Sequence, residues 1–281
     1  MLNNLVSYIK KVNGNKPWGM YSFAIMAYTS IIKMINTVKG IFIFLKNKKS
    51  FLKLAKNNNI TITGYYPILT DIFENAGTLD SHYFLQDLYM AKKVLENKIP
   101  IHYDIGSRVD GFLGHLLASN DIRQVTMLDV RPLSLNIDNL KFIQTDATNL
   151  AEIPDNSIES ISSLHALEHF GLGRYGDPLD PLACYKAMKS IQRVTKENGY
   201  IFISVPVSSQ DELWFNGLRK FSPITVIEQF DQCELVEFSI LHDFKIRTYD
   251  GTSVIIDLQK NQIPVSHLDC GMFIFRKQRF N

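Results

Sequence analysis

The stretch IHYDIGSRVDGF, residues 101–112, decides the fold. Ile101, Tyr103 and Ile105 alternate with His102 and Asp104, a period of two that predicts a strand. Gly106 ends the strand, Gly111 follows, and FLGHLLA resumes at helical spacing with Phe112, Leu113, Leu116 and Leu117 on one side. Strand, glycine turn and helix together let backbone N–H groups approach a nucleotide-like ligand. A dinucleotide fingerprint would read G-x-G-x-x-G, whereas Ser107 or Arg108 stands here in place of the middle glycine. Alone, the stretch reads either as an ordinary turn or as a cofactor loop. Asp104, where the strand runs out, is expected to set a fixed negative charge at the mouth.

Working outward, strands and helices alternate. Residues 124–130 (QVTMLDV), 140–146 (LKFIQTD), 157–165 (SIESISSLH) and 199–207 (GYIFISVPV) read as strands. Residues 181–195 and 222–230 read as helices, and 234–241 and 271–276 as two last strands, one of them a candidate antiparallel edge. Upstream, 81–95 reads as a helix with Ser81 or Asp80 as cap. Its His82, Tyr83 and Gln86 either cover a cofactor or simply pack. The pattern predicts an α/β fold, a doubly wound, mostly parallel seven-stranded sheet with ligands at the carboxyl ends of its strands.

Those ends are polar. The first strand finishes in Asp104-Ile-Gly106, the second in Asp129, the third in Asp146 and the fourth in His165. An acid after the second strand suits ribose hydroxyls, because a carboxylate accepts from both. Asp146, followed by Ala147, suits an amino group on a base.

Immediately beyond the fourth strand lies HALEHFGLGRYGDPLDP, residues 165–181. It crowds His165, Glu168, His169, Arg174, Tyr175, Asp177 and Asp180 among three glycines, a composition that suits a loop lining a site. Three readings stay open. The loop is held by its own Arg–Asp pairs, or it binds an acceptor and moves a proton, or its two histidines bind a metal. The spacing is not H-E-x-x-H and a third ligand is not identified, so no metal is assigned. Within the acid–base reading His165 leads as base, with Glu168 to orient it and His169 as the substitute; Arg174, Tyr175 and Asp177 are the candidate acceptor contacts.

Charge divides the chain. Residues 1–70 hold ten lysines and no acid, whereas the remainder holds 20 basic and 28 acidic residues, so the net charge of +2 is +10 set against −8. The basic part contains WGMYSFAIMAYTSIIKMINTVKGIFIFL, residues 18–45, in which Ser22, Thr29, Lys33, Asn36 and Gly40 form a polar stripe. It reads as a basic amphipathic helix on an anionic membrane surface rather than as a spanning helix, with packing on the protein's own core as the alternative. The expected organisation is a helical extension over 1–70 and an α/β domain over 71–281, with an Asn-rich linker at 56–67. Cys184, Cys233 and Cys270 lie far apart and suit a reducing compartment. No cleavable signal peptide is expected, so the location expected is cytoplasmic, peripheral on the inner face of the membrane. The acidic remainder shows no basic aromatic patch for nucleic acid, and no Walker, nucleophile-elbow or kinase motif occurs.

Taken together, DIG…G, LD, TDA, SSLHALEH and SIQRVTKENG running into YIFISVP resemble class I methyltransferases that use S-adenosylmethionine. The resemblance covers roughly residues 81–277. More narrowly, HYFLQD, DIGSRVDGF, LHALEHFGLGRYGDP and CGMFIF resemble a bacterial family without an assigned activity whose members often accompany surface-polysaccharide clusters. The resemblance implies S-adenosylmethionine as cofactor. Asp104, Gly106, Ser107 and Gly111 would lie at its methionine end, Asp129 at the ribose, and Asp146 with Ala147 at the adenine. It implies methyl transfer to a hydroxyl of a cell-surface glycan or its precursor. The alternatives are a non-catalytic protein of the same fold acting in assembly at the membrane, and a metal-dependent hydrolase at the same edge.

Overall fold

The computed structural model describes residues 19–58, 60, 62–73, 82–260, 262–266 and 269–279. The chain divides into two compact units, Met1–Thr78 and Leu79–Asn281.

In the first unit, helix α1 runs Gly19–Asn57, 39 residues or about 58 Å at the α-helical rise. Its part Ala27–Asn57 is long and apolar enough to cross a membrane by length and composition, and only 6% of its apolar window is buried. Ile31, Met34, Ile35, Val38, Phe42 and Leu45 are all exposed. The expected linker folds back along α1: Lys48 sits 3.7 Å over the ring of Tyr65, and Phe44, Phe51, Ile62 and Leu69 line a shared groove.

The second unit is built on one sheet. Its strands are β1 Ile101–Ile105, β2 Gln124–Asp129, β3 Leu140–Gln144, β4 Ile158–Leu164 and β5 Thr195–Val207. They are followed by a small hairpin, β6 Glu212–Trp214 with β7 Leu218–Lys220, and then by β8 Cys233–His242, β9 Lys245–Asp250 and β10 Asp269–Lys277. The main sheet has eight strands in the order β3-β2-β1-β4-β5-β10-β8-β9. β1 to β5 are parallel to one another, while β10 runs antiparallel to both β5 and β8, and β9 antiparallel to β8. The expected seven-stranded sheet is therefore corrected to eight strands of mixed direction. The additional strand β9 has an exposed, polar sequence, KIRTYD, which gives no buried-strand signal.

Both faces are covered. On one, helix α2, Tyr83–Glu96, buries Gln86, Asp87, Met90, Ala91 and Val94 at helical spacing. Those apolar residues pack with Phe112, Leu116, Met127, Phe202 and Met272. Asp80 and Ser81, expected as its cap, lie outside the described residues; His82 stands at the N-cap and makes no side-chain cap bond. On the other face, α4, Ala183–Val194, lays Cys184, Ala187, Met188, Ile191 and Val194 on Ile105, Ile161, Ile201 and Ile203. Each such large side chain, fully buried, contributes ~1.5–3 kcal/mol. Between β1 and β2 the chain passes through a π turn, Val109–Leu113, into the short helix α3, Gly114–Leu117. Helix α5, Pro223–Gln229, and helix α6, Val254–Gln259, complete the unit.

Candidate functional site

β1 neighbours β2 on one side and β4 on the other, so the connections leave β1 in opposite directions and open a crevice at the carboxyl ends. Gly106 lies in that crevice with φ +69; a Cβ there would press on the Ala166 side chain at 3.1 Å, so the turn requires glycine. Asp104 is not at the mouth. It is fully buried and lines neither cavity described below. Its carboxylate accepts from the Ser107 N–H at 2.9 Å, from the Ser107 hydroxyl at 2.6 Å and from the Ser162 hydroxyl at 2.5 Å. Burial outweighs these bonds and pushes its pKa up to about 6. Gly111 also leaves the expected site, because a Cβ on it would sit 2.1 Å from Asp87 Oδ2. The second glycine serves the packing of the π turn on α2. Ser107, which shapes the Asp104 carboxylate, does line the crevice.

The crevice has two parts. The first is a cleft of about 880 Å³ including its open mouth. Gly106, Asp129, Asp146, Ala147, Phe170 and Tyr175 are among its walls. Asp129 arrives there as the last residue of β2, and its carboxylate is taken: Oδ1 accepts from the Arg131 backbone N–H at 2.8 Å and from Nε at 3.0 Å, and Oδ2 accepts from Nη2 at 2.7 Å. The Arg131 guanidinium lies 4.5 Å from the centre of the Tyr175 ring. A carboxylate has about four acceptor positions, so Arg131 leaves one for a ligand hydroxyl unless it swings aside. Asp146 accepts from the Thr148 N–H at 2.8 Å. Asp177 lines the cleft, and its carboxylate binds the backbone N–H groups of Gly171, Gly173 and Tyr175, fixing its own loop.

The second part is a polar chamber that shares Gly106, Arg131, His165, His169 and Tyr175 with the cleft and adds His82, Tyr83, Arg108, Glu168 and Arg174. His165 follows β4 in a left-handed conformation, φ +51, and lines both parts of the crevice. Its Nδ1 lies 2.9 Å from Glu168 Oε1. Burial opposes a charge on this ring, but the Glu168 carboxylate and Cys270 together prevail and the pKa stands well above the ordinary histidine value. His165 Nε2 is buried and has no hydrogen-bond partner among the described residues. His169 differs. Its Nδ1 lies 2.8 Å from the Gly217 carbonyl, which fixes the proton on Nδ1 and leaves the Nε2 lone pair free. Burial lowers its pKa, so the ring is neutral. Glu168 Oε1 lies 3.6 Å from His169 Nε2. Arg174 Nη1 donates to the same Gly217 carbonyl at 3.0 Å.

The structure thus brings Gly106, Ser107, Asp129, Asp146, Ala147, His165, Glu168, His169, Arg174, Tyr175 and Asp177 to one crevice. It leaves Asp104 and Gly111 behind it. Arg131 was missed, although an arginine two residues past an acid at a strand end is a local signal for a bidentate clamp. Cys270, buried at the start of β10 beside His165, was missed because no spacing rule links residues 105 positions apart.

Comparison with known proteins places residues 128–252 in register with a family described as a Caenorhabditis protein of unknown function, DUF268. No curated protein matches the chain. Among solved structures, the [4+2]-cyclase SpnF is similar at 16% identity over 68% of this chain and 81% of that one, with a TM-score of 0.49. The N-methyltransferase NodS from Bradyrhizobium japonicum WM9, in complex with S-adenosyl-L-homocysteine, is similar at 13% identity over 72% and 91%, TM-score 0.46. The 1,6-didemethyltoxoflavin-N1-methyltransferase of Burkholderia thailandensis, also with S-adenosylhomocysteine, is similar at 14% identity over 73% and 94%, TM-score 0.44.

Proposed function

We propose that this protein transfers a methyl group from S-adenosylmethionine to a hydroxyl of a cell-surface glycan or glycan precursor. One observation carries the reading: a cleft with acids at its β2 and β3 ends meets a polar chamber at Gly106, beneath a neutral histidine. The residues fit the cofactor. Asp129 would take the ribose, with Arg131 displaced toward Tyr175, while Asp146 and Ala147 would meet the adenine. Gly106 leaves open the space at the junction that any side chain would fill. Bound there, the cofactor supplies a methyl group already activated on a sulfonium.

The remaining work falls to the chain's own residues, which must hold the acceptor and remove its proton. The base in this reading is His169 rather than His165. His165 spends Nδ1 on Glu168 and turns Nε2 into the protein. His169 keeps Nε2 free, and the Glu168 carboxylate at 3.6 Å would stabilise the ring once it takes the proton. Tyr83 and Arg174 line the chamber and suit a hydroxyl-rich acceptor. The glycan class is supported by the likeness of LHALEHFGLGRYGDP to proteins that accompany surface-polysaccharide clusters, an associational ground. The exposed apolar residues and lysines of α1 support attachment to an anionic membrane, where lipid-carried glycan precursors would be at hand. The test is incubation of the full chain with methyl-labelled cofactor and a panel of glycans. Label entering a glycan supports the reading, and cofactor binding without transfer to any hydroxylated acceptor favours the non-catalytic alternative.

A further inference from the structure

We propose that His82, His165 and Cys270 form a binding site for a transition-metal ion of the zinc class, with its fourth position open to the chamber. The three residues come from the N-cap of α2, the end of β4 and the start of β10, and the fold brings one donor atom of each within 4.8 Å of the others. Nothing in the methyl-transfer reading needs this convergence.

A second observation points the same way. Nε2 of His82 and Nε2 of His165 are both buried without a hydrogen-bond partner among the described residues. The His165 side chain is only 8% exposed. A buried polar atom left unpaired costs ~1–3 kcal/mol, and such atoms in a native site call for an explanation. Glu168 accepts the Nδ1 proton of His165 at 2.9 Å, so the ring turns Nε2 into the triad and offers its lone pair there once an ion displaces the Nε2 proton. A histidine whose far nitrogen is held by a carboxylate is the arrangement that orients metal ligands, because it fixes the tautomer and raises the basicity of the free nitrogen. The ring of His82 lies 5.2 Å from that of His165, centre to centre. Cys270 Sγ faces Gln86 Oε1 at 3.2 Å, and Ser204 donates to that same oxygen at 2.9 Å, so Gln86 keeps a partner when the thiol gives up its proton.

Two imidazoles and a thiolate are the donor set for zinc, and three protein ligands with one open position are the form its catalytic sites take. Bond lengths of ~2.0–2.1 Å to nitrogen and ~2.3 Å to sulfur put tetrahedral donors about 3.3–3.7 Å apart, so closing the triad asks for a movement of about 1 Å. Rotation of His82, which precedes the first turn of α2, can supply it. Ion binding releases the Cys270 proton and the Nε2 proton of His165 to solvent and leaves two neutral imidazoles plus one thiolate. The open position faces the chamber that His82 and His165 line. Where the methyl-transfer reading holds, that position would receive the acceptor oxygen; the metal site stands without that reading.

The test uses the full chain, stripped with chelator and titrated with cobalt(II) and zinc(II). The expected result is one ion per chain, with a sulfur-to-cobalt charge-transfer band and the visible bands of tetrahedral cobalt. A Cys184→Ala, Cys233→Ala double variant leaves Cys270 as the sole thiol and keeps both signals. Cys270→Ser loses the sulfur band, and it and His82→Gln each weaken binding at least ~100-fold, a larger loss than that of an outer-shell partner. Stripped, folded protein that takes up no ion would overturn the site, as would a double variant without a sulfur band or a Cys270→Ser protein that binds like wild type. If Cys270→Ser does not fold, the double variant decides alone.

Discussion

Replacing Ser162 with alanine tests the polar ladder that underlies the crevice. His102 and Asp104 face β4 from β1, opposite Ser160 and Ser162. The Ser162 hydroxyl donates to Asp104 Oδ1 at 2.5 Å and therefore accepts from His102 Nε2 at 2.8 Å. That choice puts the imidazole proton on Nε2 and makes Nδ1 the acceptor of the Ser160 hydroxyl at 2.7 Å. All four side chains are fully buried. Ser162→Ala strips the carboxylate of a charge-assisted bond, ~1.5–3 kcal/mol, and strands a buried N–H, ~1–3 kcal/mol. The expected loss is about 3–5 kcal/mol, a large part of the ~5–15 kcal/mol that holds a domain together. Ser160→Ala removes one neutral bond and strands the His102 Nδ1 acceptor, a smaller loss of ~1–3 kcal/mol. Urea unfolding of the two variants at neutral pH, with unchanged m-values, measures both. A Ser162→Ala variant no less stable than Ser160→Ala would refute the ladder.

The same ladder sets a pH dependence. Asp104, raised from 3.8 to about 6, contributes stability that is full below pH 4 and lost as pH rises through 6. His102, lowered from 6.5 to about 3 by burial, contributes stability that is full above pH 6.5 and lost as pH falls toward 3. The two slopes oppose each other between pH 4 and 6. The stability of Asp104→Asn relative to wild type should therefore climb ~1.4 kcal/mol per pH unit across that window, and a level difference would exclude an ionising Asp104. His169→Ala should lower turnover ~10²–10⁴-fold with cofactor affinity almost unchanged. Because burial holds His169 below the ordinary histidine value, the wild-type rate should stay level from alkaline pH down through about 6.5 and fall only in more acidic solution; a rate still rising above pH 7 would move the base elsewhere. The full chain should float with anionic vesicles and much less with neutral ones, at ~1 kcal/mol per lysine near the surface, and release in high salt; flotation with neither would remove the membrane from the account.

The strands were legible because their apolar runs are strong: β1, β2, β4 and β5 fall within a few residues of their expected bounds. β9 was not, since KIRTYD lies at the sheet edge and buries little. Polar endings identified the carboxyl edge correctly, but sequence could not tell which acids face the crevice. Asp129 and Asp146 do, whereas Asp104 turns inward because Ser162, 58 positions away, offers it a partner. The histidine loop was recognised by composition. The division of labour within it depends on Gly217 fixing the His169 tautomer and on Cys270 standing behind His165, and neither lies near the loop in the chain.

Calorimetric titration of the full chain with S-adenosylmethionine and S-adenosylhomocysteine tests the central claim most directly. Saturable binding at one site is expected. Asp129→Ala should weaken it by about 100-fold or more, the loss of two hydrogen bonds to a charged group at ~1.5 kcal/mol or more each. Arg131→Ala should bind equally well or more tightly, because it frees the carboxylate that Arg131 now occupies. Folded wild-type protein that gives no binding heat with either compound at millimolar concentration would contradict it.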